Sequence, residues 1–153
     1  MTLENLLRIG KLKAHAADEG EIARLLESAD RALGDTSVAG LSADARLELA
    51  YRALMQSALA AMLASGYRPS TSEPGHHQVV IQALPKTIGM APERVQVLEA
   101  YRKARNQSDY RGVAVSDAVA RECSQDARKL LGDVRAWIAA NQPGKSSQGP
   151  ATG

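Results

Sequence analysis

The residues best equipped for chemistry lie in one run, Tyr101-Arg102-Lys103-Ala104-Arg105-Asn106-Gln107-Ser108-Asp109-Tyr110-Arg111-Gly112. It reads as the end of an amphipathic helix passing into a glycine-terminated turn, and that turn is expected to gather Arg102, Arg105, Asn106, Asp109, Tyr110 and Arg111. Arginine binds phosphate or carboxylate through a planar fork. An adjacent pair, His76-His77, opens the segment before it. Histidine exchanges protons near neutral pH, so these imidazoles beside Arg105 would make an acid–base or anion-binding cluster. The same arginine, carboxylate and phenol could instead cap helix carbonyls and pin the following loop.

Other chemistries find less support. The two adjacent histidines lack a third ligand at metal-binding spacing, and a single cysteine, Cys123, excludes both a disulfide within the chain and a cysteine-based zinc site. Cys123 reads as a small core residue on a helix face with Val119, Ala127 and Leu130. There is neither a glycine-rich phosphate loop nor a G-x-S-x-G elbow. No cofactor or metal is expected. His15, in a basic N-terminal segment, reads as solvated.

Composition narrows the partners. With 19 basic against 17 acidic side chains, the chain is not a strongly basic nucleic-acid coat protein. It has no Phe and only 3% aromatic residues, so stacking bases on aromatic platforms is not its main business. The longest uncharged run near the centre, Ala53 to Tyr67, is 15 residues and contains Gln56 and Ser57. A membrane span needs about 20 apolar residues. The N-terminus has charges where a signal peptide would have an apolar stretch. These features predict a soluble, cytoplasmic chain with no membrane association.

Helical patterning must position the cluster. Ile22, Leu25, Leu26, Ala29 and Leu33 recur at helical spacing after an Asp18/Glu21 capping box. Ser42 reads as the N-cap of a helix ending at Gly66, and its apolar residues from Leu47 to Leu63 cover more than one face, which predicts a central core helix. Tyr67 to Gly75 reads as a loop, and no strand is expected. A helix from His76 is disturbed by Pro85 and ended by Gly89; another starts at Pro92, with Val95, Leu98, Tyr101 and Arg105 on one face. The last starts at Ser116 and carries the seam Val119, Cys123, Leu130, Val134 and Trp137. The reading is an all-α, up-and-down antiparallel bundle of four to five helices. Residues 1–18 form an N-terminal segment, 19–140 the bundle and 141–153 a disordered tail rich in Pro, Gly and Ser. If the helices from His76 and Pro92 run antiparallel, the histidines meet Arg105, Asn106, Asp109 and Tyr110.

Four features in order resemble the HEPN domain family of prokaryotic helical proteins. They are the Ala-rich helix from Ala50-Tyr51-Arg52 through Leu63, the loop opening into His76-His77-Gln78-Val79-Val80-Ile81, the Leu-x-x-x-Arg helix ending in Arg105-Asn106-x-x-Asp109-Tyr110, and the Ala-rich helix from Ser116. Together they cover roughly Glu19 to Ala140, and the Arg…Asp-Tyr ending is their most specific part. The resemblance implies a helical bundle, often a homodimer, associated with nucleotides or RNA. Some family members are metal-independent endoribonucleases of toxin–antitoxin or defence systems; others partner a minimal nucleotidyltransferase. The ribonucleases carry Arg-x(4–6)-His. Arg105 matches that arginine and Asn106 its polar neighbour, but Tyr110 stands where histidine is expected. A phenol is a poor base at neutral pH. The leading expectation is therefore a binding and interaction module working with a nucleotidyltransferase, an antitoxin or a second copy, its dimer face supplied by the Val119–Trp137 seam. The alternative is a metal-independent endoribonuclease that uses Arg105 with His76 or His77.

Overall fold

The structure is a computed structural model that describes residues 2–72 and 75–141. The expected tail after Asn141 lies outside the described residues, as do two positions of the loop before His76. Nine elements follow in order: α1 (Leu3–Arg8), β1 (Leu12–Ala14), α2 (Glu19–Asp35), α3 (Ala43–Ala64), β2 (Tyr67–Pro69), α4 (His76–Gln82), α5 (Leu84–Thr87), α6 (Pro92–Arg111) and α7 (Asp117–Asn141). The chain is thus predominantly helical, as its periodicity predicts. Among the described residues no helix is long and apolar enough to cross a membrane.

Local chemistry sets the helix ends. Asp18 Oδ1 accepts from the Glu21 backbone N–H at 2.7 Å and Ser42 Oγ from that of Ala45 at 3.1 Å, each satisfying a donor that the first helical turn leaves open. The Asp18/Glu21 box is only half made, because the Glu21 carboxylate turns to His15 Nε2 at 3.0 Å. His15 is therefore paired, not simply solvated. Pro85 divides the helix from His76 in two: α4 stops and α5 begins around Ala83, with Pro85 in its first turn, where a missing N–H costs least. Gly112, at φ 68, takes the left-handed conformation that ends α6.

The core surrounds α3, whose Leu47, Ala50, Tyr51, Ala53, Leu54, Ala58, Ala60, Ala61 and Met62 are all buried. α2 and α7 pack along it, and α4, α5 and α6 cover its other sides. The α7 seam faces inward: Cys123, Leu130 and Val134 have no exposed surface. Burial pushes the Cys123 thiol up to about 12, as expected of an inert core residue. The middle of the seam is therefore spent on the core, and only Val119 and Trp137 at its ends keep some exposure; an apolar stripe cannot distinguish packing against α3 from packing against another copy.

One correction concerns the N-terminus, where no strand is expected. β1 pairs antiparallel with β2, Leu12 opposite Pro69, Lys13 opposite Arg68 and Ala14 opposite Tyr67. Three-residue strands hold too little alternation to announce themselves, and Pro69 at the sheet edge masks the second. The N-terminal segment also joins the bundle: Leu3 and Leu6 pack on the core, and Leu12 is 1% exposed within it. Leu12→Ala should accordingly destabilise the whole fold by about 2–5 kcal/mol in urea unfolding monitored by circular dichroism. A loss below about 0.5 kcal/mol would mean that the hairpin is an appendage.

Candidate functional site

The run proves helical from Tyr101 to Arg111, and only Gly112 leaves α6. This corrects the expected turn and fixes the site geometry. On a helix, positions three and four apart share a face. Val95, Leu98 and Tyr101 point into the core, and Arg102, Arg105, Asn106 and Asp109 emerge around its edge, half-buried or at the surface. The Tyr101 hydroxyl donates to Asp126 on α7, which fixes the helix in rotation. At its end, Asp44 Oδ1 in the first turn of α3 accepts from the Val115 backbone N–H at 2.9 Å. These ties bring the last turns of α6 beside the start of α3.

Arg105 is the hub. Its Nε lies 2.8 Å from Asp109 Oδ2, one turn along, and 3.3 Å from Glu48 Oε1 on α3. Neither oxygen lies in line with the N–H, so these are ionic contacts, not well-directed hydrogen bonds. Of the outer nitrogens, Nη1 reaches Asn106 Oδ1 only at 3.5 Å. The guanidinium carbon sits 5.5 Å from the centroid of the Tyr51 ring, within cation–π range. Arg102 is held separately, its Nε and Nη2 donating to Glu99 Oε2 at 3.0 and 2.8 Å.

α4 supplies the other side. The rings of His76 and His77 meet edge to face, with centroids 4.8 Å apart. His77 Nδ1 lies 3.3 Å from the Tyr51 hydroxyl. Burial lowers the His77 pKa below its ordinary value, and the nearby His76, Arg105 and Arg102 push the same way. Both effects favour the neutral imidazole. Burial likewise pushes the Tyr51 phenol up to about 12, against the opposing pull of Arg105 and Arg102.

His76, His77, Arg102, Arg105, Asn106 and Tyr110 line one cleft of about 390 Å³. A second, of similar size, opens between α3 and α6, where Glu48, Tyr51, Arg52 and Gln56 face the same His77 and Arg105. Six of the eight residues singled out from sequence thus share a cavity wall. Asp109 does not line it but holds Arg105 from behind, and Arg111 is exposed on the last turn outside it. Tyr110 is 78% exposed, at the rim. Sequence reasoning missed Glu48, Tyr51 and Glu99. The signal available was Glu48 with Tyr51, three apart on one face of an otherwise apolar helix. Among the described residues, no three His, Cys, Asp or Glu side chains converge as metal ligands would.

No family model, curated protein or solved structure matches the chain. The site must therefore be read from its own geometry.

Glu48 offers a direct electrostatic check. Burial raises its pKa first, then a hydrogen bond with Asp109, and Arg105 only partly opposes them. In the folded state Glu48 thus holds its proton to higher pH than when unfolded. Stability should fall as pH rises from the unfolded glutamate pKa, about 4.3, through the raised folded value. Glu48→Gln should abolish that decline and leave the variant at least as stable as the wild type above the folded value. The group is 44% exposed, so solvent screening limits the effect to about 1 kcal/mol or less. Parallel urea titrations from pH 4 to 8 test this; identical pH slopes for the two proteins would contradict it.

Proposed function

We propose that the chain is a HEPN-like, nucleotide- or RNA-associated binding and interaction module, arranged as an up-and-down antiparallel bundle, with the His76–Tyr110 cleft as its ligand site. The carrying observation is the joint wall of that cleft: two imidazoles, two guanidiniums, two amides and a phenol drawn from α4 and α6. These groups can offer several hydrogen-bond donors to a phosphate, and the arginines add charge. Glu48, Asp109 and Glu99 offset much of that charge. Such a balance suits selective, moderate binding better than indiscriminate attraction to polyanions.

The partner reading rests on the family resemblance: a second copy, a nucleotidyltransferase or an antitoxin. With the middle of the α7 seam spent on the core, any such contact draws on other surface as well. Tyr110 at the cleft rim and Val113 just beyond α6 are both exposed and offer apolar surface that suits it.

One observation favours a second reading, metal-independent endoribonuclease. Burial and nearby positive charge favour the neutral form of His77 in the same wall as Arg105, and a general base must be unprotonated to act. Tyr110, in the position expected of the family histidine, is no substitute.

One set of measurements separates the readings. Total RNA is incubated in EDTA with wild type, Arg105→Ala and a His76→Ala/His77→Ala double variant, each checked for folding by circular dichroism. Binding of a short RNA and of adenosine monophosphate is measured in parallel. The binding reading expects no cleavage, and Arg105→Ala should weaken binding by about 1.5–3 kcal/mol, roughly 10- to 150-fold. EDTA-resistant cleavage lost in both variants would establish the enzyme reading instead. Neither binding nor cleavage by the wild type would defeat both.

A further inference from the structure

We propose that Tyr51 is the positioning residue of the cleft: its hydroxyl donates to His77 Nδ1, so the neutral imidazole carries its own proton on Nε2 and presents that N–H as a donor to an anionic ligand oxygen. The proposal rests on the cleft being a ligand site, and it specifies how His77 takes part.

Three observations lead to it. Tyr51 is buried, with 3% of its surface exposed, and the polar atom within reach of its hydroxyl is His77 Nδ1, at 3.3 Å. A phenol that burial has pushed up to about 12 keeps its proton at any ordinary pH. That proton needs an acceptor. Were Nδ1 protonated, the phenol oxygen would accept from it, and the phenol hydrogen would have no acceptor among the described residues. Donation from Tyr51 to an unprotonated Nδ1 satisfies both groups. A neutral imidazole has one N–H, which must then be on Nε2.

The second contact of Tyr51 gives this arrangement its reach. The face of the same ring lies under the Arg105 guanidinium. One buried side chain thus orients the imidazole through its hydroxyl and the guanidinium through its ring. His77 and Arg105 line both clefts; Tyr51 lines the second and contacts both of these residues. With its proton on Nε2, His77 complements Arg105 as an anion donor. The same tautomer cannot accept a proton at Nε2, so Tyr51 also biases the site against base catalysis there.

Nitrogen-15 labelling with long-range proton–nitrogen correlation of the imidazoles, at about pH 8, tests the proposal. The wild type should show His77 Nδ1 as an unprotonated nitrogen and Nε2 as a protonated one. Tyr51→Phe removes the hydroxyl and keeps the ring under Arg105; the two nitrogen shifts should move toward each other as the tautomers mix. Affinity for adenosine monophosphate should fall roughly 3- to 10-fold. A wild-type His77 protonated on Nδ1 would overturn the proposal, as would nitrogen shifts unmoved by Tyr51→Phe. Should that variant fail to fold, the wild-type shifts alone decide. Failure of the wild type to bind adenosine monophosphate, with the expected shifts present, would count against the ligand-site reading and leave the Tyr51–His77 bond established.

Discussion

Close approach to α3 is the constraint from which the rest of the structure follows. The chain has no Phe and a single Trp, so it cannot fill a wide interior with aromatic bulk. It brings helices together on small residues instead. Ala50, Ala53, Ala58, Ala60 and Ala61 of α3 are buried, and α7 answers with Ala120, Cys123, Ser124 and Ala127. Small side chains at a contact shorten the distance between helix axes, and packed interiors tolerate little added volume. Leu54, Met62, Leu130 and Val134 fill what remains. With its sides enclosed, α3 becomes the fixed frame against which the other helices are placed.

Polar ties then set rotation and register where small apolar residues cannot. Arg128 of α7 donates from Nη2 to the Leu33 carbonyl at 2.9 Å and to Thr36 Oγ1 at 3.1 Å, while Arg46 of α3 donates from Nε to the Thr36 carbonyl at 3.0 Å. Two guanidiniums therefore meet the C-terminal end of α2, where open carbonyls and the helix dipole favour positive charge. Tyr101 with Asp126 and Asp44 with the Val115 N–H do the same for α6. Arginine is used structurally at α2 and on a cleft wall at α6. What separates these uses is the partners: Arg128 ends on backbone and hydroxyl acceptors at the end of α2, whereas Arg105 is held at Nε by poorly directed ionic contacts, at Nη1 by a long bond to Asn106 and against the face of the Tyr51 ring.

That difference explains how much the sequence could reveal. Helical character, the caps at Asp18 and Ser42, the central role of Leu47–Leu63, the break at Pro85 and the burial of Cys123 all depend on neighbours close in sequence, where periodicity and capping act. So does the grouping of Arg102, Arg105 and Asn106 on one helical edge. The β1–β2 pairing joins positions more than fifty residues apart through three-residue strands, and no local pattern encodes it. The inward direction of the α7 seam was equally hidden, because a stripe records that a face is apolar but not what covers it. Glu48 and Tyr51 went unrecognised for a related reason. Each looks ordinary on its own helix and gains its role only where α4 and α6 cross α3.

The crossing also accounts for the chemistry of the site. Tyr51 belongs to the core by burial and to the cleft by contact, so packing and ligand geometry cannot be adjusted independently there. Moving α3 would displace the ring beneath Arg105 and the hydroxyl at His77 together. The half-buried position that lowers the His77 pKa also carries the imidazole to the cavity wall, and burial holds the Tyr51 phenol in its protonated form. Low polarity strengthens each of these contacts and penalises any group left unpaired. A neutral imidazole, a protonated phenol and a charge-balanced guanidinium are therefore the states this packing favours. The packing that builds the bundle thereby also sets the charge states along the cleft.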